Sequence, residues 1–205
     1  MFDGIEWLFF DMGSTLIDES AEYERRLKII ARSAKIPYKA VYAKTAELYG
    51  EHFKGDTEVA KVLGVSKPQW DSNNETVYPD TSETLKTLNQ KYRIGIIANQ
   101  PEGAERRLKK FGIMPYVSLV VSSFEIGIEK PDLEIFETAL DRAGCRAEHS
   151  VMIGDRVDND IIPAKSLGMR TVWIKQGFGR FWKISDESER ADVTVERIRE
   201  LLTVL

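Results

Sequence analysis

An α/β fold is what the sequence predicts: a parallel sheet covered by helices on both faces, with a small all-helical block inserted after the first strand. Three observations lead there. From Tyr78 onward, short apolar runs alternate with amphipathic stretches of helix length. A run of the same apolar kind, Ile5 to Phe10, opens the chain. Between them, from Asp18 to Asn74, no stretch reads as a buried strand. The expected division is a core of residues 1–17 and 77–205 around a helical block of residues 18–76.

Taken in order, Ile5–Phe10 has the length and aromatic content of a buried strand. It ends in Asp11, after which Gly13, Ser14 and Thr15 let the backbone turn and expose its amides. Glu19 to Lys35 is charged, with Leu27, Ile30 and Ala31 close to helical spacing. Pro37 starts a second helical stretch through Val41, Ala46 and Leu48 to Phe53, and a third runs from Thr57 to Leu63 and stops at Gly64. The polar "DSNNET" closes this block before Val77. Pro79 and Asp80 open a helix reaching Lys91, with Asp80 or Thr81 as its N-cap. "RIGIIA", Arg93–Ala98, is a buried strand, and Pro101–Phe111 a helix stopped by Gly112. "VSLVVSS" from Val117 is a strand, and Asp132–Ala143 a helix stopped by Gly144. "SVMIG", "RTVWIK" and "DVTV" are three further strands, with helices after the first and last.

At 205 residues, 42% apolar and 30% charged, the chain has an ordinary globular balance that can bury a core. No apolar run approaches the ~20 residues that span a bilayer. The N-terminus lacks the positive start and apolar centre of a signal peptide. A single cysteine, Cys145, excludes an internal disulfide framework and fits a reducing cytoplasm. The net charge of −4 and pI near 5.4 argue against a general nucleic-acid binder. Neither nucleic acid nor membrane is expected as a partner, while the balance says little about small substrates, since acidic enzymes still bind anions locally.

Polar residues gather just past the strand ends. Asp11 follows Ile5–Phe10, Asn99 follows Arg93–Ala98, Asp155 follows Val151–Ile153, and Lys130 lies in the loop after Val117–Ser122. Ends of parallel strands share one edge of the sheet, so these residues should converge on one crevice. Crowded carboxylates repel and raise each other's pKa, a cost that a divalent cation and a lysine would offset. Asp11, Asp155 and Asp160 are oxygen donors of the kind Mg²⁺ prefers. Each residue also has an ordinary reading taken singly: Asp11 as a helix cap, "GDRVDND" as a solvated acidic loop, Lys130 as an exposed lysine, Asn99 as a turn residue. Their joint placement is what points to a site.

The four segments, in order, resemble the motifs of the haloacid dehalogenase superfamily, most of whose members are Mg²⁺-dependent phosphatases. "FFDMGSTL" resembles the first motif, "IIANQ" the second, "GIEKPD" the third and "GDRVDND" the fourth. The resemblance implies a Rossmann-like hydrolase core with a helical cap. It implies Asp11 as the nucleophile that forms an aspartyl-phosphate, and Mg²⁺ held by Asp11, the Gly13 carbonyl and Asp155. Asp160, with Asn159, would support the metal and the lysine. Lys130 would neutralise charge on the nucleophile and phosphate, Asn99 would orient the phosphoryl oxygens, and Ser14 and Thr15 would join the substrate contacts.

Two departures stand out. In the family's phosphatases a second aspartate stands two residues after the nucleophile, protonating the leaving alkoxide and then activating water; here that position is Gly13. A positioned acid or base is worth roughly 10²–10⁴ in rate, so the loss matters. Ala98 stands where the second motif usually carries a hydroxyl. Substrates with good leaving groups would suffer least, and Asp18 or Glu19, at the hinge of the helical block, could substitute for the acid. The alternatives are a non-catalytic or weakly active Mg²⁺- and phosphate-binding module, a phosphonate hydrolase, or a 2-haloacid dehalogenase. The last reading is weakened by the metal-type acids of "GDRVDND".

Other single-site readings fail. Gly50 and Gly55 have the spacing of a P-loop start, but Asp56 stands where its lysine belongs. "GFGRFW" is no dinucleotide fingerprint, and the chain has no G-x-S-x-G. His52 and His149 lack the clustered partners of a zinc site. Trp173, Phe178, Phe181 and Trp182 read as core and loop packing.

Overall fold

The first strand, β1 (Trp7–Phe10), is buried along its whole length and lies at the centre of the sheet. Its side chains alternate between two cores. Leu8 and Phe10 join one apolar cluster with Ile94, Ile96, Val151 and Ile153, while Trp7 and Phe9 join another with Ile97, Phe136 and Met152. A strand apolar on both faces is what a sheet covered on both sides requires. Gly95 is dictated by this packing: a Cβ there would lie 2.6 Å from the Phe9 ring.

A computed structural model describes residues 2–205. After β1 come a short strand β2 (Ile17–Asp18) and the helices α1 (Ser20–Ala34), α2 (Tyr38–Gly50) and α3 (Gly55–Val62). The strand β3 (Thr76–Val77) follows, then α4 (Thr81–Leu88), β4 (Arg93–Ala98), α5 (Ala104–Lys110), β5 (Leu119–Ser122), α6 (Ser123–Ile126) and α7 (Leu133–Ala143). The chain ends with β6 (Ser150–Gly154), a π-helical turn (Val157–Ile161) leading into α8 (Ile162–Ser166), then β7 (Arg170–Ile174), β8 (Val193–Val195) and α9 (Leu201–Val204). Six strands form one parallel sheet in the order β5-β4-β1-β6-β7-β8. This is the Rossmann-type α/β architecture expected. No helix among the described residues is long and apolar enough to cross a membrane.

Several boundaries differ from the sequence reading. β1 starts at Trp7 rather than Ile5, although the main chain of Glu6 still bonds to His149 and Arg93 at 2.8 and 2.9 Å. β5 ends at Ser122, and α6 follows without a break where a loop was expected. α4 stops at Leu88. Asp80 stands at the N-cap of α4 as expected but makes no side-chain cap bond, and Thr81, the first helical residue, donates its Oγ1 to the Leu16 carbonyl at 3.2 Å. The ribbon of β2 and β3, pairing Ile17 with Val77 and Asp18 with Thr76, carries no sequence signal because each strand is two residues long. Through this ribbon the chain leaves and re-enters the sheet on either side of α1–α3. Those helices pack on their own apolar cluster of Leu27, Ile30, Val41, Leu48, Tyr49 and Val59, into which Phe178 inserts from beyond β7.

Candidate active site

Register brings the polar residues together. Phe10 pairs with Ile96 on one side and Ile153 on the other, so the chain emerges from β1, β4 and β6 at one level. The Asp11 amide donates to the Ile153 carbonyl at 2.9 Å, extending the ladder by one rung. The Met12 carbonyl then accepts from the amides of Leu16 and Ile17, both at 3.0 Å, closing a tight turn in which Ser14 takes φ 54°. Asp11 is thus held at the carboxyl end of the central strand, where open parallel sheets bind ligands.

Around it stand Lys130, Asp155 and Asp160. Lys130 Nζ donates to Asp11 Oδ1 and to Asp160 Oδ1, each at 2.6 Å. Asp11, Asp155 and Asp160 each offer an oxygen within 4.8 Å of the others. The π-helical turn aims Asp160 inward, where its Oδ2 accepts from the Arg156 amide at 3.0 Å. A side chain at 154 is excluded, since a Cβ there would lie 2.2 Å from Asp160 Oδ2. Asp155 is fixed from two directions: Trp173 Nε1 donates to its carbonyl at 2.9 Å, and Thr15 Oγ1 donates to its carboxylate at 3.4 Å. Gly179 belongs to the same packing, because a Cβ at that position would sit 2.2 Å from the Asp155 carbonyl.

The electrostatics are those of too many acids in too little water. Burial pushes the Asp155 carboxyl well above the ordinary range, and the charges of Asp11 and Asp160 push it further. Asp160 is raised by burial too, against the opposing pull of Lys130. Burial alone would lower the Lys130 ammonium, but Asp11 and Asp160 more than compensate and hold it above its usual value. Three carboxylates facing one ammonium leave an excess of negative charge. Hard oxygen donors at this spacing suit a small divalent cation, so the residues present fit Mg²⁺.

The remaining predicted residues have more specific duties than the sequence shows. Asn99 clamps the main chain of Lys130, its Oδ1 accepting from the Lys130 amide at 2.7 Å and its Nδ2 donating to the Lys130 carbonyl at 2.8 Å. One amide hydrogen of Asn99 is left for the cavity it lines. Thr15, expected among the substrate contacts, is fully buried and spends its hydroxyl on Asp155. Ser14 donates its hydroxyl to Glu19 Oε2 at 2.9 Å. Gly13 forms an isolated bridge with Ile17. Glu19, just before α1, is 9% exposed, and burial raises its carboxyl to about 8, with Ser14 pulling it down and Asp11 pushing it up.

All of these except Thr15 surround a cavity of about 750 Å³ between the strand ends and α1–α3. Sequence reasoning missed two features of its wall. One is the ion pair of Arg107 with Glu75 at 2.7 Å, the same Glu75 that accepts from Trp70 Nε1 at 2.7 Å. The other is Phe178, stacked on Tyr49 with ring centroids 5.5 Å apart. "GFGRFW" gave packing as its meaning, which the aromatic contacts of Phe178 match, but no sequence signal ties a residue after β7 to α2.

A family model described as haloacid dehalogenase-like hydrolase matches residues 5–168. The glyceraldehyde 3-phosphate phosphatase of Methanocaldococcus jannaschii is 33% identical, the match covering 98% of this chain and 97% of that protein. The enzyme of the same name from Methanothermobacter thermautotrophicus is 31% identical, over 97% and 98% respectively. The fold is shared with a crystal structure described as a HAD phosphatase from Thermococcus onnurineus, with a TM-score of 0.66 and 22% identity over 98% of this chain and 97% of the other.

Proposed function

The chain belongs to the haloacid dehalogenase-like hydrolases, and on that premise we propose that it is a Mg²⁺-dependent phosphatase acting on a small phosphorylated metabolite. The observation that carries the reading is the cluster of Asp11, Asp155 and Asp160, in which Lys130 binds Asp11 and Asp160 at 2.6 Å each. Asp11 is the nucleophile. Lys130 occupies its Oδ1, which leaves Oδ2 for in-line attack on phosphorus and an aspartyl-phosphate intermediate. The lysine, buried and pre-positioned, stabilises charge on the transferring group without reorganising. Asn99 keeps the lysine in place and turns its free amide hydrogen toward the phosphoryl oxygens. Mg²⁺ would be held by Asp11 and Asp155 with Asp160 beside them, and would supply further neutralisation of phosphoryl charge.

The helices α1–α3 act in this reading as a cap that closes the cavity and selects the substrate. Relatives matched over nearly their whole length are named for glyceraldehyde 3-phosphate, which makes a triose phosphate the first substrate to test. The experiment is phosphate release from glyceraldehyde 3-phosphate and p-nitrophenyl phosphate, with Mg²⁺ and with EDTA. Wild-type protein should release phosphate only with the metal, and Asp11→Asn should release none. Undiminished hydrolysis by Asp11→Asn would overturn the nucleophile, and full activity in EDTA would overturn the metal. Gly13 gives a second reading some support, a module that binds phosphate without turnover. Phosphate binding with no release from any ester would favour it.

A further inference from the structure

The Asp11 mechanism leaves one need unmet: the bond from phosphorus to an alkyl oxygen breaks slowly unless that oxygen receives a proton. Gly13 has no side chain to give one. A Cβ built on Gly13 would lie 2.5 Å from Glu19 Oε1 and 2.9 Å from both Glu19 Cδ and Oε2. The Glu19 carboxyl therefore fills the volume that a side chain at position 13 would occupy, reached from the far end of the turn instead of from the turn itself. We propose that Glu19 is the acid–base group of this hydrolase, replacing in space the carboxyl that residue 13 lacks.

Four observations single it out. Glu19 lines the cavity with Asp11, Lys130 and Asp155. Its side-chain partner is the Ser14 hydroxyl, which orients Oε2 without neutralising the carboxyl. The other acids on the cap side of the wall are taken up by cations: Asp56 pairs with Arg26 at 2.7 Å, and Glu75 with Arg107 at 2.7 Å. Asp18, equal to Glu19 on sequence grounds, is spent elsewhere. Its Oδ1 accepts from the amide of Ser20 at 2.9 Å and from the Ser20 hydroxyl, at the start of α1.

The chemistry balances in two steps, and rests on Asp11 attack as proposed above. As Asp11 Oδ2 bonds to phosphorus, the bond to the alkyl oxygen breaks, and the Glu19 carboxyl gives its proton to that oxygen. The alcohol leaves. The Glu19 carboxylate then takes a proton from water as the water oxygen attacks phosphorus, the bond from Asp11 to phosphorus breaks, and inorganic phosphate departs with Asp11 and Glu19 restored.

The test is Glu19→Gln, which keeps the shape and the contact with Ser14, assayed on glyceraldehyde 3-phosphate and on p-nitrophenyl phosphate. Turnover of the alkyl ester should fall about 10²-fold or more. The aryl ester, whose leaving group needs no proton, should still give a rapid burst of one p-nitrophenolate per site, followed by slow turnover as the phosphoenzyme waits for its base. Glu19→Ala combined with Gly13→Asp, which vacates the space and refills it from residue 13, should recover alkyl-ester turnover relative to Glu19→Ala alone. Wild-type rates for Glu19→Gln on both esters would overturn the proposal and leave Asp11 attack intact. Equal losses on both esters without a burst, or no recovery in the combined variant, would also overturn it. Absence of phosphate release by the wild-type protein would instead overturn the Asp11 reading.

Discussion

Replacing Lys130 by methionine keeps the length of the side chain and deletes its charge. It removes two contacts, each 2.6 Å, to Asp11 Oδ1 and Asp160 Oδ1. At an effective dielectric of roughly 20, each is worth about 6 kcal/mol of gross attraction. Desolvation offsets most of this, because the lysine side chain is only 2% exposed. The variant is left with buried carboxylates facing no ammonium, and breaking a buried pair in this way costs about 3–5 kcal/mol. With a urea m-value of about 2 kcal/mol/M, the unfolding midpoint falls by about 1.5–2.5 M. The assay is urea unfolding followed by tryptophan fluorescence in EDTA, with Asp160→Asn measured alone and in combination. Asp160→Asn removes one of the stranded charges, so the combined loss should be smaller than the sum of the single losses by about 1–3 kcal/mol. Additive losses, or a Lys130→Met protein within about 0.5 kcal/mol of wild type, would refute the reasoning.

Two further changes probe the supports of the same cluster. Gly154→Ala places a Cβ 2.2 Å from Asp160 Oδ2, and should destabilise the fold by about 1–3 kcal/mol in thermal melts while lowering kcat, because Asp160 must move away from Lys130. Thr15→Val keeps the buried volume and deletes the 3.4 Å contact to Asp155, so a Mg²⁺ titration of activity should shift about tenfold to higher concentration with stability little changed. An unmoved titration would show that Thr15 does not orient Asp155.

Much of the fold is legible in the sequence because burial of a local backbone leaves a period behind. "RIGIIA" and "SVMIG" read as strands and are strands, since every residue of the two except Arg93 is buried. Gly144 stops α7 as expected, taking a left-handed φ of 59°. Elements without a period are not legible. The ribbon of β2 and β3 is too short to have one, and α6 begins on the residue after β5 ends, so no turn signal separates them. The convergence of Asp11, Lys130 and Asp155 is legible for a different reason, that parallel strands end along one edge.

By itself the sequence determined the alternation of strands and helices, the motif residues at the strand ends, and the absence of a carboxyl at Gly13. Only the tertiary structure decided what those residues hold: Asn99 the backbone of Lys130, Thr15 the carboxylate of Asp155, and Glu19 rather than Asp18 the space beside Gly13. The reason is range. Periodicity reports on neighbours within a few residues, whereas these contacts join positions 31 and 140 residues apart, or turn on which of two adjacent acids points inward. Register and burial set those directions, and both exist only once the chain has packed.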